Sequence, residues 1–169
     1  MKTTGITRRI DELGRVVIPK EIRKNMHIKK GELLEIFLSD KETISLKKYN
    51  VINKNQTFIK EYINCLASKI NCNIYITNMD EIIFSTKEEA ENEKISKELE
   101  AFPVNSSDTK YIYITKNIKI NEPYNIYPIN PNGDQVGFII FEYKEHTDFT
   151  NHELISFSVL FIENYLETK

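Results

Sequence analysis

The apolar positions of this chain change their period several times, and each change marks an element. Residues 3–10, TTGITRRI, are rich in β-branched side chains with partial alternation, which predicts a strand. Leu13-Gly14-Arg15 predicts a turn. Residues 16–18, VVI, predict a short apolar strand stopped by Pro19, which cannot donate to a ladder but suits the start of a helix. Residues 19–25 then predict a one- to two-turn helix, with Glu21 near its positive end and Arg23 and Lys24 near its negative end. After a turn at Lys30-Gly31, the runs 34–38 and 43–46 flank Ser39-Asp40-Lys41-Glu42 and predict a hairpin. About 48 residues of this kind cannot bury enough apolar surface as a monomer, so two copies sharing one core are expected.

Residues 49–56, YNVINKNQ, are polar and unpatterned and read as a linker. Beyond it Phe58, Ile59, Tyr62, Ile63, Leu66, Ala67 and Ile70 recur at helical spacing and predict a helix over 57–70. Residues 73–77 and 81–85 predict two strands about Asn78-Met79-Asp80. Residues 86–101 predict an acidic, weakly amphipathic helix, opened by a capping box at Ser85 and Glu88 or at Thr86 and Glu89. Residues 111–115, 124–130 and 135–143 predict three more strands, the last two joined by Pro131-Asn132-Gly133-Asp134. Thr150 with Glu153 is a further capping box, and it opens a strongly apolar helix to about residue 166. The fold class is α+β. The expected division is a small N-terminal domain over 1–52 and an α+β sandwich over 53–169, a mainly antiparallel sheet covered by helices.

The chain of 169 residues is 40% hydrophobic and 28% charged, enough to bury a core and unlike a disordered chain. The apolar runs last only a few residues, far short of the ~20 needed to span a membrane. The N-terminal MKTTGITRR is basic but lacks the apolar stretch of a secretion signal, so a cytoplasmic protein is expected. Cys65 and Cys72, both placed in one predicted helical region, suit neither a disulfide scaffold nor a zinc site.

A net charge of −2 argues at first against a nucleic-acid partner, but the charge is unevenly spread. Residues 1–53 hold 12 Lys and Arg against 7 Asp and Glu, a net +5, while residues 54–169 hold 11 against 18, a net −7. Such asymmetry hints at a nucleic-acid module joined to something else. Composition favours Lys, Asn and Ile (19, 17 and 26), yet the four arginines, Arg8, Arg9, Arg15 and Arg23, all lie early. Arginine kept against that bias suggests positions that need a planar, bidentate fork.

The string TGITRRIDELGRVVIPKEIR at 4–23, with LEIF at 34–37 and LKKY at 46–49, closely resembles the N-terminal module of the SpoVT/AbrB family of bacterial transcription regulators. The resemblance implies a swapped-hairpin β-barrel, in which two chains interleave into one dimeric core and present a basic face to double-stranded DNA. It carries DNA contact over to Arg8, Arg9, Arg15, Lys20, Arg23 and Lys24. Lys24 stands where an arginine is usual, and a lysine there still neutralises phosphate but loses bidentate base reading. If Arg8 and Arg9 share one strand, one of them faces away. For the second domain the resemblance implies a GAF-like sensory or oligomerisation fold, with YPINPNGDQVGFIIFEY at 127–143 resembling its central hairpin. It also implies transcription control during spore development.

Eight to twelve phosphate contacts in a dimer predict a log–log salt slope of about −7 to −10. The apolar surplus of the last helix, at Phe157, Phe161, Ile162 and Tyr165, predicts self-association of helices into a tetramer. The acidic body should discourage wrapping of DNA around the whole particle. No cofactor, metal or catalytic constellation is expected: His146, Asp148, His152 and Glu153 match no zinc spacing, and neither cysteine has a histidine close in sequence. The GAF-like domain names no ligand. The competing expectation is an antitoxin of the same superfamily, whose disordered tail would wrap a toxin.

Overall fold

The computed structural model describes residues 4–26, 28, 30, 32–39, 41–102, 110–121, 123–144 and 152–167. Chain contacts divide it into two units, Met1–Tyr49 and Asn50–Lys169.

In the first unit, helix α1, Lys20–Asn25, begins at Pro19, whose carbonyl accepts from Arg23 N at 3.0 Å. Strands β1, Leu34–Leu38, and β2, Ile44–Lys48, pair antiparallel with Ile36 opposite Leu46, the predicted hairpin. The predicted strands at 4–10 and 16–18 join no ladder among the described residues. Their β-branched pattern selects a face, but a strand also needs a partner edge, and this one copy offers them none. No described residue of the first unit is buried. Val17 and Leu38 expose 72% and 81% of their surface.

The second unit starts earlier than the expected boundary at 52/53, and part of the expected linker is structured. Asn50 caps helix α2, Val51–Lys54, its Oδ1 accepting from Ile52 N at 3.1 Å and Asn53 N at 3.2 Å, and both Val51 and Ile52 are buried. Two apolar residues show no periodicity, so only the asparagine cap signalled this turn in the sequence. Helix α3, Gln56–Ala67, buries Ile59, Ile63 and Leu66 on one stripe. Strands β3, Cys72–Asn78, and β4, Ile82–Ser85, follow as predicted. Cys65 therefore lies exposed on α3 while Cys72 is buried in a strand, not in the same helix.

The predicted helix over 86–101 does not form. A 3-10 turn at Glu88–Ala90 is followed by Asn92 at φ 66, which no α-helix accommodates, and only Lys97–Glu100 is helical (α4), capped by Ser96 Oγ, which accepts from Leu99 N at 2.9 Å. The segment instead satisfies β4: Asn92 N donates to Ile82 O at 2.8 Å and Ile82 N to Glu93 O at 2.9 Å. An unpaired strand edge outcompeted a weak helical pattern.

Strands β5, Tyr111–Tyr113, and β6, Lys119–Asn121, form a small antiparallel hairpin, of which β6 was not predicted. Strand β7, Tyr124–Ile129, turns through Pro131–Gly133 into β8, Gly137–Tyr143, and helix α5 spans His152–Glu167. Gly31, His27, Asp40, His146, Asp148 and the Thr150 cap lie outside the described residues, as does the side chain of His152.

The main sheet is antiparallel in the order β4-β3-β8-β7. On one face Tyr75, Phe138 and Ile140 pack with Leu99, Ile112, Ile114 and Ile120 from the α4–β6 segment. By strand alternation Ile74, Ile76, Ile139 and Phe141 bury the other face, where α3 meets β3 and α5 meets β7. This is the α+β arrangement expected, although β7 lies at the sheet edge and not its centre.

One polar cluster ties the sheet to the covering segment. Glu142 Oε2 accepts from Tyr75 Oη at 2.8 Å, Asn73 Nδ2 at 2.9 Å and Lys87 Nζ at 2.9 Å. Burial pushes the Glu142 carboxyl up, but the bonds from Lys87, Asn73 and Tyr75 and the Lys87 charge outweigh it, so it lies below the ordinary range. A depressed carboxyl stabilises the fold above its unfolded value, near ~4.3, and loses that contribution as pH falls through the folded value. The stability gap between wild type and Glu142→Gln, read from urea midpoints, should be widest at neutral pH and close progressively below about pH 4. A gap constant from pH 7 to 3 would contradict this.

Candidate nucleic-acid interface

The cations singled out in the sequence sit on three local structures. The best defined is the turn at 11–15, built by an aspartate. Asp11 Oδ1 accepts from Leu13 N at 3.0 Å and Arg15 N at 2.8 Å, Asp11 N donates to Arg15 O at 3.1 Å, and Gly14, at φ 76, lets the chain reverse. Asp11 Oδ2 then accepts from Arg15 Nε at 2.8 Å. The Arg15 amide and guanidinium hold the Asp11 carboxyl below its usual range. An exposed ion pair adds little stability. Its effect here is orientation, because the Arg15 side chain is held along its Nε edge while 72% of it stays exposed.

Helix α1 carries the next three cations. Lys20, Arg23 and Lys24 occupy positions i, i+3 and i+4, hence one face, and all three are exposed. Arg23 and Lys24 also complement the carbonyl end of the helix. The helix stops at Asn25, with Met26 N donating to Ile22 O at 2.9 Å. Arg8 and Arg9 lie on the unpaired segment before the turn and both are exposed, with Arg8 Nη1 donating to Thr7 O at 2.8 Å. Since that segment is in no ladder, strand alternation does not turn either one away. Asp11 was missed as a positioning residue. The signal was present as an aspartate opening the D-E-L-G-R run, the side chain that most often builds such a turn.

Among the described residues no three His, Cys, Asp or Glu side chains are grouped to hold a metal, and no helix is long and apolar enough to cross a membrane. On α3 and α5 the rings of Phe58 and Tyr165 stack at 3.8 Å and those of Tyr62 and Phe161 at 5.1 Å, while Phe157 is 60% exposed.

A solvent-facing turn that presents an arginine, and a helix with a cationic face, stand beside a separately clustered α+β unit in the chain, and comparison with known proteins identifies the kind of protein. Residues 55–159 match the family described as the stage V sporulation protein T C-terminal, transcription factor, domain. Residues 7–53 match the MazE antidote-toxin recognition family of bacterial antitoxins. The chain is 36% identical to stage V sporulation protein T of Bacillus subtilis (strain 168), over 99% of both chains. Its N-terminal region is 57% identical over 49 residues to the transition state regulatory protein AbrB of the same organism, covering 29% of this chain and 50% of that one. A solution structure of the N-domain of the transcription factor AbrB is 56% identical, covering 30% of this chain and 94% of that one, with a TM-score of 0.28. The chain belongs to the stage V sporulation protein T family of transcription factors.

Proposed function

We propose that this chain is a DNA-binding regulator of sporulation-stage transcription, acting as activator, repressor or both in the cytoplasm at the nucleoid, with no catalytic activity. The observation that carries this reading is the Asp11-built turn, which orients an exposed arginine a few residues before the cationic face of α1, in a region 57% identical to a transition state regulator. Arg8, Arg9, Arg15, Lys20, Arg23 and Lys24 contact double-stranded DNA, with Arg15 and Arg23 suited to guanine O6 and N7 and the lysines to phosphate. A gel-shift titration should give a log–log salt slope of about −7 to −10 for the dimer. Binding that hardly changes between about 50 and 200 mM salt would refute the reading.

The first unit works as a swapped-hairpin dimer. Its exposed Ile10, Val16, Val17, Ile36, Leu38 and Ile44 are the surface that a second copy would cover, and a unit without one buried described residue cannot be stable alone. The second unit is a GAF-like domain whose α3–α5 aromatic face joins two dimers into a tetramer. Sedimentation should find a tetramer for the wild type and a dimer for Phe157→Glu with Phe161→Glu. A monomer in either case would exclude this assembly. The antitoxin alternative needs a disordered tail, and the four-stranded sheet with α3 and α5 argues against it.

A further inference from the structure

The β5–β6 hairpin is a basic island in an acidic body. Residues 110–121, KYIYITKNIKIN, hold Lys110, Lys116 and Lys119 and no acidic side chain, although residues 54–169 as a whole carry −7. The ladder splits cleanly into two faces. Ile112 and Ile120 point into the core at 1% exposure, while Tyr111, Tyr113 and Lys119 stand on the outer face, as the exposed pattern of both strands requires. Lys119 Nζ lies 3.9 Å from the Tyr111 ring centre and 6.0 Å from that of Tyr113, and the two rings meet edge to face at 6.0 Å. Among the described residues two glutamates approach, each accepting from neutral donors of the hairpin and keeping its negative charge. Glu98 Oε2 accepts from Tyr113 N at 3.3 Å, and Glu93 Oε2 from Thr115 Oγ1 at 2.6 Å and Asn117 Nδ2 at 3.3 Å. Lys94 and Lys97 in the adjoining segment stand among Glu93, Glu98 and Glu100, so the positive surplus comes from the three hairpin lysines.

A lysine ammonium normally samples many rotamers, and ordering it on binding costs free energy. Here the tyrosine faces hold Lys119 in place before any partner arrives. The same contact decides the kind of partner. A platform for unpaired bases must offer a free aromatic face, whereas the Tyr111 face is covered by the ammonium. What remains outward is one positioned ammonium beside two tyrosines, whose hydroxyls, like the ammonium, can bind phosphate oxygens.

We propose that the exposed side of the β5–β6 hairpin is a second contact for the phosphate backbone of duplex DNA, through Lys119 on the outer face, Lys110 just before β5 and Lys116 in the connection between the strands, with the Tyr111 and Tyr113 hydroxyls. This rests on the DNA-binding reading above. The contact is sequence-independent, so it raises affinity and lengthens the footprint without choosing the site. The acidic body does not repel DNA uniformly: its average charge conceals this hairpin much as the whole-chain average conceals the N-terminal arm.

The test uses the full chain with Lys110→Gln, Lys116→Gln and Lys119→Gln combined, on duplexes of about 20 and about 60 base pairs carrying the same site. On the long duplex the variant should bind about tenfold more weakly, and its salt slope should be shallower by about 0.9 for each lysine that meets phosphate. On the short duplex the difference should be no larger than on the long one, and the fold should persist because all three lysines are exposed. Equal affinity and slope on the long duplex overturn the proposal and leave the patch to an acidic protein partner. A wild type that binds neither duplex defeats the DNA-binding reading itself, which separates the two failures.

Discussion

Replacing Arg15 by alanine is expected to abolish site-specific DNA binding while the fold persists. A bidentate arginine–guanine contact discriminates by roughly 1–3 kcal/mol, and the proposed dimer would present the residue twice, which puts about 2–6 kcal/mol of specificity at stake. At 1.4 kcal/mol per decade, that is a loss of about thirty- to ten-thousand-fold for the specific site. Binding to unrelated duplex should fall far less, because the remaining lysines and arginines still neutralise phosphate. The fold should tolerate the change, since Arg15 is exposed and its ion pair with Asp11 lies on the surface. Arg15→Lys separates fork from charge: it keeps the cation but loses the planar donor pair, and should fail on specificity nearly as badly as alanine. Asp11→Asn keeps a carbonyl oxygen to accept from the Leu13 and Arg15 amides but loses the charge-assisted hold on Nε, so an intermediate loss is expected. Competition gel shifts with specific and random duplex measure all three. Unchanged specificity in Arg15→Ala would remove the turn from the interface.

What was legible in the sequence was local. The β1–β2 hairpin, α3, the β3–β4 pair and β8 each carry a period or a turn signal within their own residues, and each forms where expected. What was hidden depends on partners distant in the chain or outside it. Residues 86–101 fit a capped acidic helix when taken alone, but β4 lacks a neighbour on one side, and Asn92 and Glu93 bind its backbone instead. The α2 turn has only two apolar residues, and its burial becomes visible only once Gly137 is next to it. Residues 4–10 and 16–18 look like strands by composition, but among the described residues they find no partner edge. The interface divides the same way. Its cations stood out because arginine is rare in this chain, whereas Asp11 looked like one more surface acid until its carboxylate was seen holding the turn and the arginine together.

The largest structural effect is expected from Gly137→Ala, a single methyl at the first residue of β8. Gly137 pairs with Asn78 on one side and Ile129 on the other, so backbone crowds it from both neighbouring strands. A Cβ there would run into the carbonyl oxygen of Thr77 and approach Ile52 Cδ1 to 2.8 Å. The two obstacles differ in kind. The Ile52 tip can rotate, but the Thr77 carbonyl is main chain in a strand that is already bulged between Ile76 and Thr77. Relief requires β8 to part from β3 at this end, which also strains the bond from Phe138 N to Thr77 Oγ1, 3.2 Å long and buried. Overpacking that side chains can absorb costs about 1–3 kcal/mol, and a collision with backbone belongs at the top of that range or above it. Against a domain stability of about 5–15 kcal/mol, the variant should melt at least ~10 °C lower or fail to fold its second unit. Adding Ile52→Ala distinguishes the two obstacles: it clears the space occupied by α2 but leaves the Thr77 carbonyl where it was. Ile52→Ala also leaves a cavity of its own, so the double variant should be at least as unstable as Gly137→Ala alone. Recovery of most of the lost melting temperature would mean that the docked α2 turn, and not the sheet backbone, sets the demand for glycine.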